Sequence, residues 1–249
     1  MKSSSSDRII LISDYGRSGQ GWLSYMLCYI LNARYIEPYS LIRGKDCSFS
    51  EYIIENTNGN IPGRKKTRYD LVVKTHNLPI REANFSGKVI FLTRDPRDVA
   101  VSALWWHKNG AKSAKWKNIK GKIFWTIATK IRIIDYVLTA KGWTSYYSSQ
   151  GKNLPFHVKY EDLSAETKKT LLKILDYINV SAEYNIIDEA IEKFSFEKIT
   201  GRKKGQEDKK NSEFRKGIVG DYKNYFSTLE LKIFGLICGK TARKAGYKL

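Results

Sequence analysis

The chain has 249 residues, 42% of them hydrophobic and 13% aromatic, enough for one full-sized domain with a real core and too apolar for a disordered tail. Its 44 Lys+Arg against 25 Asp+Glu leave a formal charge of +19, which favours an anionic partner: nucleic acid, a membrane surface, an acidic polymer or a multiply phosphorylated small molecule. Cys28, Cys47 and Cys238 show neither CxxC nor Cys/His spacing, which excludes a disulfide scaffold and structural zinc and fits a reducing cytoplasm.

The start, MKSSSSDRIILIS, is too short in apolar residues for a signal-peptide core. Arg8 to Ser13 reads as a strand buried on both faces, and a glycine-rich turn then leads into a helix through Trp22, Leu23, Met26, Leu27, Ile30 and Leu31. The uncharged stretch Ser18 to Ala33 is broken by Gln20, Ser24 and Asn32, short of the roughly 20 apolar residues of a membrane span. A soluble, cytoplasmic protein without a membrane span is expected. Leu71 to Val73 and Val89 to Leu92 repeat the buried-strand signal, and Pro155 to Lys159 is a weaker fourth. Asp95-Pro96-Arg97-Asp98 reads as a helix start, with Asp95 as cap, Pro96 at the first position and Asp98 at the positive end of the dipole. Further helices are predicted over about 119–140, 165–178, 181–194 and 228–245. Alternating strands and helices predict an α/β fold, a single domain over residues 1–249 with a mainly parallel central sheet flanked by helices. Residues 1–7 are expected to fray and 201–214 to form a mobile loop. Ligands of such sheets sit beyond the carboxyl ends of the strands.

Four segments fall there or in the late loop. Tyr15-Gly16-Arg17-Ser18-Gly19-Gln20-Gly21-Trp22 joins the first strand to its helix; its glycines let backbone amides approach an anion, Ser18 and Gln20 add donors, and the helix N-terminus adds positive charge. It is not a Walker A loop, because Trp22 stands where Lys-Ser/Thr would follow. Leu71-Val72-Val73-Lys74-Thr75-His76 turns polar at its end and delivers His76, a candidate base for an acceptor hydroxyl. Val89 to Arg94 delivers a guanidinium fork, with Ser102 on the capped helix, as a second anion site; the bland alternative is that Arg94 pairs with Asp95 or Asp98 to anchor the helix. Arg215, Lys216 and Gly217 form a third basic feature. His107 and His157 read as structural or surface residues.

In this order the segments resemble the cytosolic-type sulfotransferases that use 3′-phosphoadenosine 5′-phosphosulfate (PAPS). YGRSGQGW stands in place of that family's YPKSGTTW, VVKTH matches its KTH, RDPRDVAVS its RNxxDVAVS, and RKGIVGDYKNYF its RKGxxGDWKNxF. KYEDL resembles FYEDM, whose tyrosine lies near the adenine, and Phe194-Ser195-Phe196 resembles the segment with an adenine-stacking aromatic. The resemblance implies a P-loop-related sulfotransferase fold with PAPS as donor and adenosine 3′,5′-bisphosphate (PAP) as product. His76, Arg17 and Lys74 take the catalytic roles. Donor binding falls to Arg17, Ser18, Gly19, Gln20, Gly21, Trp22, Arg94, Ser102, Tyr160, Phe196, Arg215, Lys216 and Gly217. No metal is expected, since fixed cations would serve the charge. Gly16, Arg17, Gln20 and Gly21 depart from the family pattern, and Arg17 keeps charge but cannot donate a proton. No segment matches the family's KxxxTVxxxE dimer motif, which leaves the oligomeric state open.

The acceptor is open between a glycan or polysaccharide and a small hydroxylated metabolite. Residues 108–132 carry eight Lys/Arg and no Asp/Glu, with Trp116, Phe124 and Trp125 interleaved; they read either as an acceptor surface or as a solvated helix face over core aromatics. Two rivals use the same charge. A Mg-dependent P-loop phosphotransferase calls for a strand-end Asp where Lys74-Thr75-His76 stands, and a nucleic-acid-binding module needs no strand-end His or paired phosphate sites.

Overall fold

The computed structural model describes residues 5–36, 61, 64–76, 87–109, 132–149, 156–207 and 214–249. Their elements run β1 (Ile9–Ser13), α1 (Gln20–Leu31), β2 (Arg34–Ile36), β3 (Leu71–Thr75), β4 (Lys88–Thr93), α2 (Pro96–Asn109), α3 (Arg132–Ser148), β5 (Phe156–Lys159), α4 (Tyr160–Ala165), α5 (Thr167–Tyr177), α6 (Tyr184–Lys193), α7 (Phe196–Thr200) and α8 (Thr228–Lys244). They divide into two compact units. One comprises residues 1–93 and 150–199, the other 94–149 and 200–249.

The first unit is the expected α/β core. Its strands form a parallel sheet in the order β2-β3-β1-β4-β5. The central strands are apolar because both faces are covered: Ile10, Ile12, Val72 and Ile90 are wholly buried, as are Leu23, Met26, Leu27 and Leu31 of α1 and Leu171 and Ile174 of α5. β2 escapes sequence reading because it has three residues and its side chains are exposed or half-buried. α1 ends where Asn32 adopts a left-handed conformation (φ 52°) and its N–H returns to Tyr29 O.

In the second unit α2 starts as its sequence requires. Asp95 caps it, accepting Arg97 N–H at 2.9 Å, while Asp95 O receives Val99 N–H at 3.0 Å. α8 carries a capping box in which Ser227 and Glu230 exchange bonds, and Arg132 of α3 grips Glu230 with two bonds of 2.8 and 2.9 Å. The core gathers Val101, Leu104, Tyr136, Phe226 and Phe234, with Tyr136 stacked on Phe226 at 4.2 Å.

Some expected boundaries move. The helix expected over 119–140 is described only from Arg132 and continues to Ser148, because Trp143 and Tyr147 stack at 5.4 Å and are buried, which outweighs the cost of about 1 kcal/mol for Gly142 inside a helix. Residues 119–131, and most of the basic 108–132 segment, lie outside the described residues. The helix expected from residue 165 is preceded by a separate one, α4, and the two part at Glu166 (φ −131°, ψ 56°). The described part of the loop expected over 201–214 is tied down: Arg202 donates to Gln206 O, Arg215 O and Phe214 O, and Gly205 N–H to Lys216 O. Among the described residues no helix is long and apolar enough to cross a membrane.

Candidate active site

In the first unit the register of the sheet builds the site. β1 and β3 are parallel neighbours with Ser13 beside Thr75, so the next residues, Asp14 and His76, emerge side by side at the carboxyl edge although 62 positions separate them. His76 Nδ1 lies 2.8 Å from Asp14 Oδ1 and 3.2 Å from Asp14 O. The Asp14 carboxylate is buried, whereas the His76 side chain is 36% exposed. Burial lowers the pKa of the ring, but hydrogen bonding and charge from Asp14 outweigh both burial and the opposing Lys74 charge, and the pKa is raised above the ordinary histidine value.

The glycine-rich turn winds around this pair. Gly16, Arg17 and Gly19 have φ of 116°, 60° and 87°, positive values of the kind found where backbone N–H groups form an anion-binding concavity. Gly19 is the N-cap of α1, so the N–H groups of Gln20, Gly21 and Trp22 open the helix without intrahelical acceptors. A Cβ on Gly16 would lie 3.8 Å from His76 Cε1, and one on Gly19 would lie 2.6 and 2.8 Å from the Tyr160 ring. The turn is therefore close to the imidazole on one side and to an aromatic wall on the other. Gly19→Ala combines a left-handed backbone, about 1–3 kcal/mol, with that clash. We expect a lower Tm, and in a double-mutant cycle with Tyr160→Ala the two losses should sum to more than the double variant shows; strict additivity would mean that the ring is not what excludes the side chain.

Gln20 takes a different part from the one its sequence position suggests. Its amide nitrogen donates to Ile12 O and, at 2.9 Å, to Thr75 O. Both side-chain donors thus tie β1 to β3, and the Gln20 backbone N–H is the first to open α1. Ser18 Oγ donates to Gly16 O at 3.3 Å and Ser18 N–H to Asp14 Oδ2 at 3.3 Å. Trp22 donates its indole N–H to Phe194 O at 2.7 Å and meets Tyr160 edge-on at 6.2 Å; Phe196 is buried two residues beyond Phe194. His157 reads as structural here too: it sits on β5, 2.7 Å from Thr93 Oγ1, with its pKa lowered by burial and then by Lys159.

The second unit holds the other expected residues. Arg94 Nη2 donates to Ile218 O at 2.8 Å and lies 3.6 Å from Asp98, so the anchoring alternative describes part of its environment. Asp98, 1% exposed, does more than favour the helix dipole: it accepts Gly220 N–H at 2.7 Å and Tyr222 N–H at 2.9 Å. Ser102 lies one turn further along α2, on the same face, and is buried. Arg215 is itself buried, paired with Asp221 and within 3.3 Å of Glu207; Lys216 reaches Asp221 at 3.3 Å and Tyr225 Oη at 2.9 Å. Gly217 is left-handed (φ 65°). The basic pair is thus a built ion-pair network rather than a solvated face. Burial pushes the Cys28 and Cys238 thiols up in pKa, as suits unreactive core residues.

Asp14 and Asp221 are organising residues to which motif reading assigns no role, and Asp98 is bonded more widely than its expected parts at the helix start and beside Arg94. Asp14 carried a signal: a lone carboxylate directly after a buried strand. Among the described residues no three His, Cys, Asp or Glu side chains gather as a metal-binding group.

A sequence model described as Sulfotransferase domain matches residues 7–246. Among curated proteins, the chain is 26% identical to Sulfotransferase 1 family member D1 of Rattus norvegicus, covering 90% of this chain and 80% of that one. It is 27% identical to Sulfotransferase 1B1 of Mus musculus, covering 93% and 81%. Among solved structures, the mouse sulfotransferase SULT7A1 complexed with PAP aligns with a TM-score of 0.60 at 20% identity, over 96% of this chain and 86% of that one. Retinol dehydratase in complex with androsterone and inactive cofactor PAP aligns with a TM-score of 0.59 at 17% identity, over 98% and 83%.

Proposed function

The chain belongs to the sulfotransferase family, and on that premise we propose that it moves the sulfuryl group of PAPS to an acceptor hydroxyl by in-line displacement, with His76 as the base. The observation that carries this reading is the imidazole at the sheet edge beside the glycine-rich turn, where a Cβ added at Gly16 would come within 3.8 Å of it. The same turn supports the donor: its left-handed residues and the opening N–H groups of α1 suit a 5′-phosphosulfate.

In this reading the N–H groups of Gly19, Gln20, Gly21 and Trp22, with Ser18, hold the 5′ end. Arg17 and Lys74 offset charge that develops on the leaving oxygens. Arg94, Ser102, Arg215, Lys216 and Gly217 hold the 3′-phosphate, and Trp22, Tyr160 and Phe196 flank the adenine. The donor supplies an activated sulfuryl group. His76 takes the acceptor's proton on Nε2 as the oxygen–sulfur bond forms and the sulfur–oxygen bond to the nucleotide breaks with its electron pair. Positioning and fixed charge do the rest. We assign no metal to this step. The acceptor class is a glycan or a small hydroxylated molecule.

The test is an acceptor array of sugars, steroids and phenols incubated with sulfur-labelled PAPS. Label on a hydroxylated acceptor, dependent on His76, is the expected result; release of label to water alone, or none at all, would contradict the proposal.

A further inference from the structure

We propose that Asp14 is the positioning residue of the His76 base: its buried carboxylate holds the ring with the proton on Nδ1, leaves the lone pair on Nε2, and offsets the positive charge that arises when Nε2 accepts the proton. The inference rests on the reading of His76 as base.

The geometry is specific. Asp14 is 0% exposed, and its two carboxylate oxygens have separate tasks: Oδ1 faces Nδ1 at 2.8 Å, while Oδ2 accepts the N–H of Ser18 at 3.3 Å. Its backbone carbonyl, 3.2 Å from Nδ1, reinforces the same tautomer. An ionised carboxylate out of water is costly unless its oxygens are bonded, and here the bonds join the base to the anion turn. Displacement of either partner is therefore felt by the other.

Two charged groups act on the ring, Asp14 and Lys74. Asp14 faces it from the end of β1, Lys74 lies two residues before it on β3, and Arg17 belongs to the adjoining turn. Burial and Lys74 disfavour the imidazolium, whereas Asp14 favours it and prevails. The neutral, proton-accepting form therefore dominates only above a raised pKa, and the acid limb of kcat/KM is shifted upward from the ordinary histidine value. Asp14→Asn keeps the shape, removes the charge and leaves one acceptor oxygen where the carboxylate serves two N–H groups. Burial and Lys74 are then opposed by the Asp14 backbone carbonyl without the carboxylate charge, so the limb should move to lower pH, while the plateau rate falls about 10- to 100-fold as the imidazolium loses its counter-charge.

The experiment is long-range proton–nitrogen correlation of the imidazoles in the nitrogen-labelled protein, which has three histidines; the His76 signal is the one lost in His76→Ala. The unaltered protein should show neutral His76 with its proton on Nδ1, and in Asp14→Asn its titration should move to lower pH. A neutral Nε2–H tautomer in the unaltered protein, or an unchanged titration in the variant, would overturn the proposal. Should Asp14→Asn not fold, the tautomer of the unaltered protein decides alone. Neither readout needs substrate, so failure of sulfuryl transfer would remove the parent reading and leave the pair standing, and the converse result would do the reverse.

Discussion

Replacing His76 by Ala should lower turnover about 10³-fold, within the 10²- to 10⁴-fold that a positioned general base supplies, while PAP binds within about twofold of the unaltered affinity. The two halves follow from geometry. The ring is anchored through Nδ1 to Asp14, with Cε1 toward Gly16, so in the proposed mechanism its loss removes the proton acceptor without touching the N–H groups that open α1. Truncation also leaves the Asp14 carboxylate without its ring partner, although the Ser18 bond remains; the modest change allowed in affinity reflects that. Steady-state kinetics and calorimetry on the same preparation separate the two. Near-normal turnover would take His76 out of the mechanism, and a collapse of PAP affinity would make it a binding residue.

Asp98→Ala should be the most destabilising single change in the second unit, by about 3–5 kcal/mol. The carboxylate is buried and serves three partners: the N–H groups of Gly220 and Tyr222 and the guanidinium of Arg94. Removal strands two backbone donors and takes the Asp98 carboxylate from Arg94, itself only 9% exposed. For a chain of this size the loss corresponds to a fall in Tm of about 10 °C. Asp98→Asn, which can accept one N–H but not both, should fall between. Thermal unfolding of the three proteins gives the order, and equal stability for Asp98→Ala would mean that the 218–222 turn holds itself. Since Arg94 also bonds Ile218 O, PAP affinity should weaken in the same order.

Much of this site was legible before any coordinates. The buried strands announce themselves as uninterrupted apolar runs, because a parallel sheet covered on both faces permits nothing else, and their polar last residues fall at one edge. That places His76 and the Tyr15–Trp22 turn together from sequence alone. What sequence could not give is register. Asp14 and His76 become neighbours only because Ser13 pairs with Thr75; a slip of one residue would turn every side chain to the other face. Gln20 illustrates a second limit, since a side chain that reads as a donor to phosphate spends both protons on Ile12 O and Thr75 O. Arg215 and Lys216 illustrate a third: a basic doublet in a polar stretch looks solvated until the fold brings Asp221 against it. In each case the missing information is a tertiary partner, which local composition does not encode.

Calorimetric titration of the unaltered protein with adenosine 3′,5′-bisphosphate tests the central claim most directly. Saturable binding of one nucleotide per chain, weakened by Arg94→Ala and insensitive to added Mg²⁺, is the predicted result. A flat titration at nucleotide concentrations up to the millimolar range would contradict it.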